Sequence, residues 1–242
     1  MEVRAMKHRD IRRLVLDTFA REGRAPSVAE LADRLGLDGK AVLNGLEDLH
    51  DAHAVVLGDY GDAIRMAHPF SAAPMGFVVT PAAPYDDRMW WGGCTWDSFG
   101  IGAALKLEVV VATRCPGCGR ELRMEAGPSR PPGQDWVAHV PRPAREWWHD
   151  VIDTCGNLRT FCSAEHLARW SARTGRATGE AVPVARLWRL AQPWYGDRLD
   201  PDYRPRRTAA SQRLLTEAGF TGDFWRLPVD RVEAVMTGED PG

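Results

Sequence analysis

The stretch Trp90–Leu105, WWGGCTWDSFGIGAAL, holds one cysteine and one carboxylate three positions apart in a run that is otherwise aromatic, small or aliphatic. From Asp97 onward the residues read as a helix. If that helix starts near Thr95, its N-terminus gathers Cys94 and Asp97 together. The helix dipole at that end stabilises a thiolate and so lowers the thiol's pKa. Apolar neighbours Trp90, Trp91 and Phe99 push Asp97 toward its protonated form. A soft nucleophile beside a proton donor is one reading of the pair, with Trp91, Trp96 and Phe99 lining the pocket. A buried structural cysteine, with Asp97 merely capping the helix, is the other.

On the N-terminal side the residues alternate between helical and turn signals. IRRLVLDTFAREG presents Ile11, Leu14, Val15 and Phe19 on one helical face. Ser27 and Glu30 have the spacing of a capping box for a second helix, which Gly36 ends. LDGKAVLNGLEDLHDAH gives a third helix that buries Val42, Leu43, Leu46 and Leu49, and AVVLGDYGDAIRMAH follows as two short strands. Three helices and a hairpin in this order predict a winged-helix-like module over residues 1–70. DNA is not an expected partner. The third helix carries Asp38, Glu47, Asp48 and Asp51 against Lys40, and a helix entering a groove needs cations for the phosphates. HPFSAAPMGFVVTPAAPYDDR then reads as an extended, proline-punctuated connector.

On the C-terminal side, KLEVVVATRC and RELRMEAG are strand candidates joined by CPGCG, and DWVAHVP is a further strand. REWWHDVIDTCGNLRTFC runs from a short helix into a strand, and SAEHLARWSART forms a capped helix after Cys162. The mixture is α+β, with a mixed sheet and helices over residues 71–175 and a helical extension over 176–242. In that extension Arg198, Asp200, Asp202 and Arg204 make either a salt-bridged loop or a partner surface. Trp147, Trp148, Trp170 and Trp188 suit core packing.

Composition limits the functional classes. The 242 residues carry a net charge of −2, with 44% apolar and 26% charged residues, an ordinary globular profile that favours neither nucleic acid nor a membrane surface. No run approaches the ~20 apolar residues of a membrane span, and the N-terminus lacks a signal-peptide core. Five cysteines in such a chain suit the reducing cytoplasm, where thiols serve metals or catalysis. Phosphate-loop, dinucleotide and nucleophile-elbow motifs are absent. Cys115 and Cys118, at C-x-x-C spacing in a Pro/Gly turn, make half of a zinc site, whose other half comes from Cys155, Cys162 or His166.

A C-x-x-D segment followed by a helix, an F-C strand end some sixty to seventy residues later, and a winged-helix-like module in front together resemble the organomercurial (alkylmercury) lyases. The resemblance covers about residues 5–175. It implies that Cys94, Asp97 and Cys162 are the catalytic residues, with both sulfurs and the carboxylate facing the substrate's metal. Thiolates are the ligands that soft Hg²⁺ prefers. The implied reaction is protonolysis of a carbon–metal bond, with Asp97 as proton donor, small thiols removing the metal, and no required cofactor. Two alternatives stand beside it. The chain is a non-catalytic protein holding structural zinc on Cys115, Cys118, Cys162 and His166, with Cys94 incidental; or it is a lyase fold recruited to another small molecule and another bond in a biosynthetic pathway.

Overall fold

The structure is a computed structural model and describes residues 2–228, with side chains from residue 8 onward; the end of the expected C-terminal extension lies outside the described residues. Three helices come first: α1 (Glu2–Glu22), α2 (Val28–Leu35) and α3 (Gly39–Asp51). The capping box is formed at α2, where Ser27 accepts from the Glu30 backbone N–H and the Glu30 side chain accepts from Ser27 N–H. Gly36 ends the helix in the left-handed region. Ile11, Val15, Phe19, Val42, Leu46 and Leu49 are buried as the apolar spacing requires, while Leu14 and Leu43 are half-buried.

Strands β1 (Val56–Leu57) and β2 (Ile64–Ala67) pair as the hairpin expected after α3. That hairpin does not stand apart, because β2 pairs with β3 (Phe70–Ser71) and so begins a larger sheet. With β4 (Phe77–Pro81), β5 (Trp90–Gly92), β6 (Val109–Arg114) and β7 (Glu121–Ala126), the sheet runs in the order β1-β2-β3-β5-β4-β6-β7. The proline-punctuated stretch read as a connector therefore supplies two strands, with Pro69 just before β3 and Pro81 closing β4 opposite Val109. Proline at the edge of a strand removes no ladder bond that the pairing needs. Aromatic contacts fasten the helices to this sheet. Phe19 stacks on Phe70, and Trp90 Nε1 donates to the Phe19 carbonyl at 2.9 Å.

A second sheet has the order β10-β8-β9, from β8 (Val137–Val140), β9 (Thr160–Phe161) and β10 (Glu180–Pro183). Both sheets are antiparallel throughout, a narrower arrangement than the mixed sheet expected. Around them lie α4 (Thr95–Leu105), α5 (Val151–Asn157), α6 (Ala164–Thr174), α7 (Val184–Tyr195) and α8 (Thr208–Glu217). The α4 helix is buried along nearly its whole length and packs closely against α7. The fold is α+β, as its pattern of elements predicts. After α7 the chain folds back on itself: Arg206 pairs with Asp197 at 2.5 Å, and the Arg198 guanidinium lies over Tyr195 and Tyr203. Asp200 meets Lys106 at 3.5 Å, so part of this loop is held by ion pairs within the chain. Among the described residues, no helix is long and apolar enough to cross a membrane.

Candidate active site

The opening stretch folds as its spacing requires. Cys94 is the N-cap of α4, and its sulfur accepts from the Asp97 backbone N–H at 3.3 Å, the position a serine oxygen fills in an ordinary cap. Asp97, in the first turn, reaches back so that its Oδ2 accepts from Cys94 Sγ at 3.2 Å. Capping and chemistry are thus one geometry. Gly93 makes the approach possible, since a Cβ there would overlap Asp97 Oδ2 and Met66.

A second thiol shares the same oxygen. Cys155, on α5, lies 3.8 Å from Asp97 Oδ2 and 3.6 Å from His68 Nε2. Asp150 caps α5 through the Asp153 N–H, and Thr154 Oγ1 donates to the Asp150 and Trp147 carbonyls. The end of α5 is tied to the start of α4, because Thr95 donates through both N and Oγ1 to the Leu158 carbonyl at 3.1 Å. Those bonds set the register between the two cysteines.

Two further groups complete the cluster. His68 Nε2 is 3.9 Å from Asp97 Oδ2. Tyr195, from the last turn of α7, donates its hydroxyl to Asp97 Oδ1 at 2.7 Å. Its ring lies against Gly100, where a Cβ would overlap it. Trp96 is buried against Trp147, Trp194 and Tyr195, and Phe99 is buried in the same core, whereas Trp91 is only half-buried on β5. Cys94 and Asp97 are 2% and 1% exposed, while the His68 side chain is 15% exposed and closest to solvent.

The electrostatics separate the two thiols. Burial, the neighbouring Cys155 and the Asp97 charge raise the Cys94 thiol well above its ordinary value, outweighing the backbone N–H that favours its thiolate. The expected lowering of Cys94 by the helix end is therefore reversed. Cys155 moves the other way. Its bond with Cys94 and its contact with the His68 imidazole lower it against burial and Asp97. Burial works against a charged His68, yet Asp97 and Cys155 together outweigh it and lift the imidazole to about 8. Tyr195 is raised well above its ordinary value by burial and by Asp97, so it stays a hydrogen-bond donor. His68, Asp97 and Cys155 offer three ligand atoms within 4.8 Å of one another.

Cys162, expected to pair with Cys94, lies elsewhere. It follows β9 and sits with Cys115, Cys118 and His166, all four ligand atoms within 4.8 Å of one another. Cys162 Sγ is 2.8 Å from His166 Nδ1 and 3.6 Å from Cys118 Sγ. Loss of water, with Cys118 and Cys115 alongside, pushes the Cys162 thiol up to about 12. The strand between them separates the two positions: α5 delivers Cys155 to α4, and β9 then carries the chain to Cys162 beside the β6–β7 turn. The Cys-x3-His spacing of Cys162 and His166 was the signal pairing them with Cys115 and Cys118 and leaving Cys155 for Cys94. No comparable signal marks His68 or Tyr195.

Residues 70–196 match the alkylmercury lyase family, a stretch just over half of the chain that contains Cys94, Asp97, Cys155 and Tyr195. It reaches beyond the resemblance read from sequence, through α7. Among curated proteins none matches. A solved structure described as the mercury-bound form of MerB2 has a TM-score of 0.59 and 17% identity, covering 83% of this chain and 100% of that one. At that identity the likeness is one of fold.

Proposed function

The chain belongs to the alkylmercury lyase family, and from that premise we propose that it cleaves the carbon–mercury bond of an organomercurial by protonolysis. Cys155 and Cys94 act as sulfur ligands and Asp97 as proton donor. One observation carries the reading: both sulfurs converge on a single carboxylate oxygen, Asp97 Oδ2, at 3.2 and 3.8 Å.

The substrate arrives as R–Hg–SR′, its mercury carried by a small thiol. Cys155, the thiol whose anion is favoured, adds to mercury and R′S⁻ departs. Cys94 passes its proton to Asp97 Oδ2, and its sulfur becomes the second ligand. Asp97 then delivers that proton to carbon, the electron pair of the C–Hg bond becomes the C–H bond, and the hydrocarbon leaves. Mercury stays in the +2 state as a neutral bis-thiolate until two small thiols remove it. Within this scheme a protonated His68 balances the Cys155 anion. Tyr195 holds Oδ1, which turns Oδ2 toward the sulfurs. No oxidant and no bound cofactor is called for.

Single-turnover cleavage of a phenylmercury salt under excess small thiol tests the scheme by benzene release. Wild type and Cys162→Ser should release benzene, whereas Cys94→Ser, Cys155→Ser and Asp97→Asn should not. Benzene from Cys155→Ser and none from folded Cys162→Ser would return the second ligand to Cys162. No benzene from wild type shown to bind the mercurial would overturn the reaction and leave the scaffold serving another bond.

A further inference from the structure

Three thiols and an imidazole remain outside the chemistry just described, and their arrangement is independent of it. Cys115 and Cys118 flank the β6–β7 turn, where Cys115 N donates to Arg120 O and Gly119 N to Cys115 O, with Gly119 at φ +75°. This is a tight knuckle that aims both sulfurs to one side. Cys162 and His166 stand across the N-terminus of α6, joined by the Ser163 cap that accepts from His166 N. The two halves are pressed together: a Cβ at Gly117 would overlap His166, and Arg173 of α6 donates to Pro116 O at 2.8 Å.

We propose that Cys115, Cys118, Cys162 and His166 bind one Zn²⁺ in a tetrahedral site that fastens the β6–β7 turn to α6. The donor set is three thiols and one imidazole with no carboxylate, which suits a borderline-soft ion and excludes Ca²⁺ and Mg²⁺. A tetrahedron with Zn–S near 2.3 Å has sulfur–sulfur edges of about 3.8 Å. Cys118 and Cys162 stand 3.6 Å apart, far beyond a disulfide bond, and all five cysteines are free. His166 Nδ1 lies 2.8 Å from Cys162 Sγ, somewhat inside the sulfur–nitrogen edge of about 3.5 Å that such a tetrahedron has.

The surroundings supply the reason for a metal. Beneath the knuckle lies a separate apolar cluster built from Cys115, Leu122, Phe161, Leu167 and Trp170, distinct from the main core. Five buried side chains make a core too small to hold a turn and a helix together unaided, and a metal clip is one standard remedy. The same clip anchors the far end of the segment that runs from Cys155 through β9 to Cys162. It thereby steadies one of the two proposed mercury ligands without touching it.

Full-length protein purified without chelator from zinc-supplemented medium should carry one zinc per chain by elemental analysis. Cys118→Ser and His166→Ala should fall below a tenth of that, and Cys94→Ser and Cys155→Ser should keep it. Cobalt-substituted wild type should show the intense visible absorption of tetrahedral Co²⁺ with thiolate-to-metal charge transfer, a readout that depends on no variant. Zinc-free wild type whose thiols all remain titratable, or zinc lost from Cys155→Ser and kept in Cys118→Ser, would overturn the site. So would octahedral cobalt spectra.

Discussion

Two groups of cysteines are held a few strands apart, and nearly everything but the element differs between them. Cys94 and Cys155 are buried beside Asp97, His68 and Tyr195, each able to hold or move a proton. Cys115, Cys118 and Cys162 lie at a turn and a helix start, Cys118 in water, with His166 as their one titratable companion in the cluster. In the first group one carboxylate oxygen lies within 3.8 Å of both sulfurs, where the proposed scheme needs a proton. In the second there is no carboxylate, and the one imidazole stands among the sulfurs as a fourth ligand atom. On the scheme proposed above, both sets of sulfurs suit a soft metal, and the acid beside the sulfur decides whether a bond breaks.

The largest expected effect breaks the comparison outright. Asp97→Asn should lower single-turnover benzene release by roughly 10²–10⁴-fold, the usual worth of a positioned acid, while metal content at the knuckle is unchanged. Retained cleavage would mean that a proton reaches carbon from elsewhere. Next comes the knuckle. At zinc roughly 1,000 times Kd the metal adds about 4 kcal/mol, so Cys118→Ser should lower Tm by roughly 8–16 °C and leave benzene yield per folded chain near wild type. An unchanged Tm would make the metal ornamental.

Smaller effects sharpen the buried side of the comparison. The His68 imidazolium is favoured in the folded protein, from an ordinary 6.5 to about 8. Its stabilising contribution is therefore complete below pH 6.5 and lost as pH rises through about 8, on the order of 2 kcal/mol. In thermal melts at pH 6 and pH 9, His68→Asn should show a Tm difference smaller than wild type by roughly 4–8 °C. A difference as large as wild type would assign the pH dependence to another group. Tyr195→Phe removes one hydrogen bond from Asp97 Oδ1 and should slow cleavage about tenfold, in line with 1–1.5 kcal/mol, with little change in phenylmercury binding. Loss of binding instead would place Tyr195 in the pocket wall.

Cys94 and Asp97 of the first group were legible as a pair in the sequence, because cap geometry is local. The three-residue step from Cys94 to Asp97 fixes both around one helix start whatever the rest of the chain does. The capping box at Ser27 and the left-handed Gly36 were legible for the same reason. Strands β3 and β4 were hidden because Pro69, Pro74, Pro81 and Pro84 mark breaks, and only the neighbouring strands show that the segments between them pair. Cys155 and Cys162 sit seven positions apart, and no periodicity says which of them α5 turns toward α4. Tyr195 is 98 residues from its carboxylate, a distance across which sequence carries no pairing signal.

That phenol has a consequence for how the protein comes into being. His68, Cys94, Asp97 and Cys155 all emerge from the ribosome before α7, and chains of this size build their structure as they are made. Until residue 195 has left the tunnel and its ring has settled on Gly100, the carboxylate has thiols but no phenol to orient it. A nascent or prematurely ended chain would then hold both thiols beside a carboxylate that lacks its orienting hydrogen bond, and on the proposed scheme would discharge a bound mercurial more slowly. The helix that supplies the phenol is thus the last part of this cluster to be synthesised.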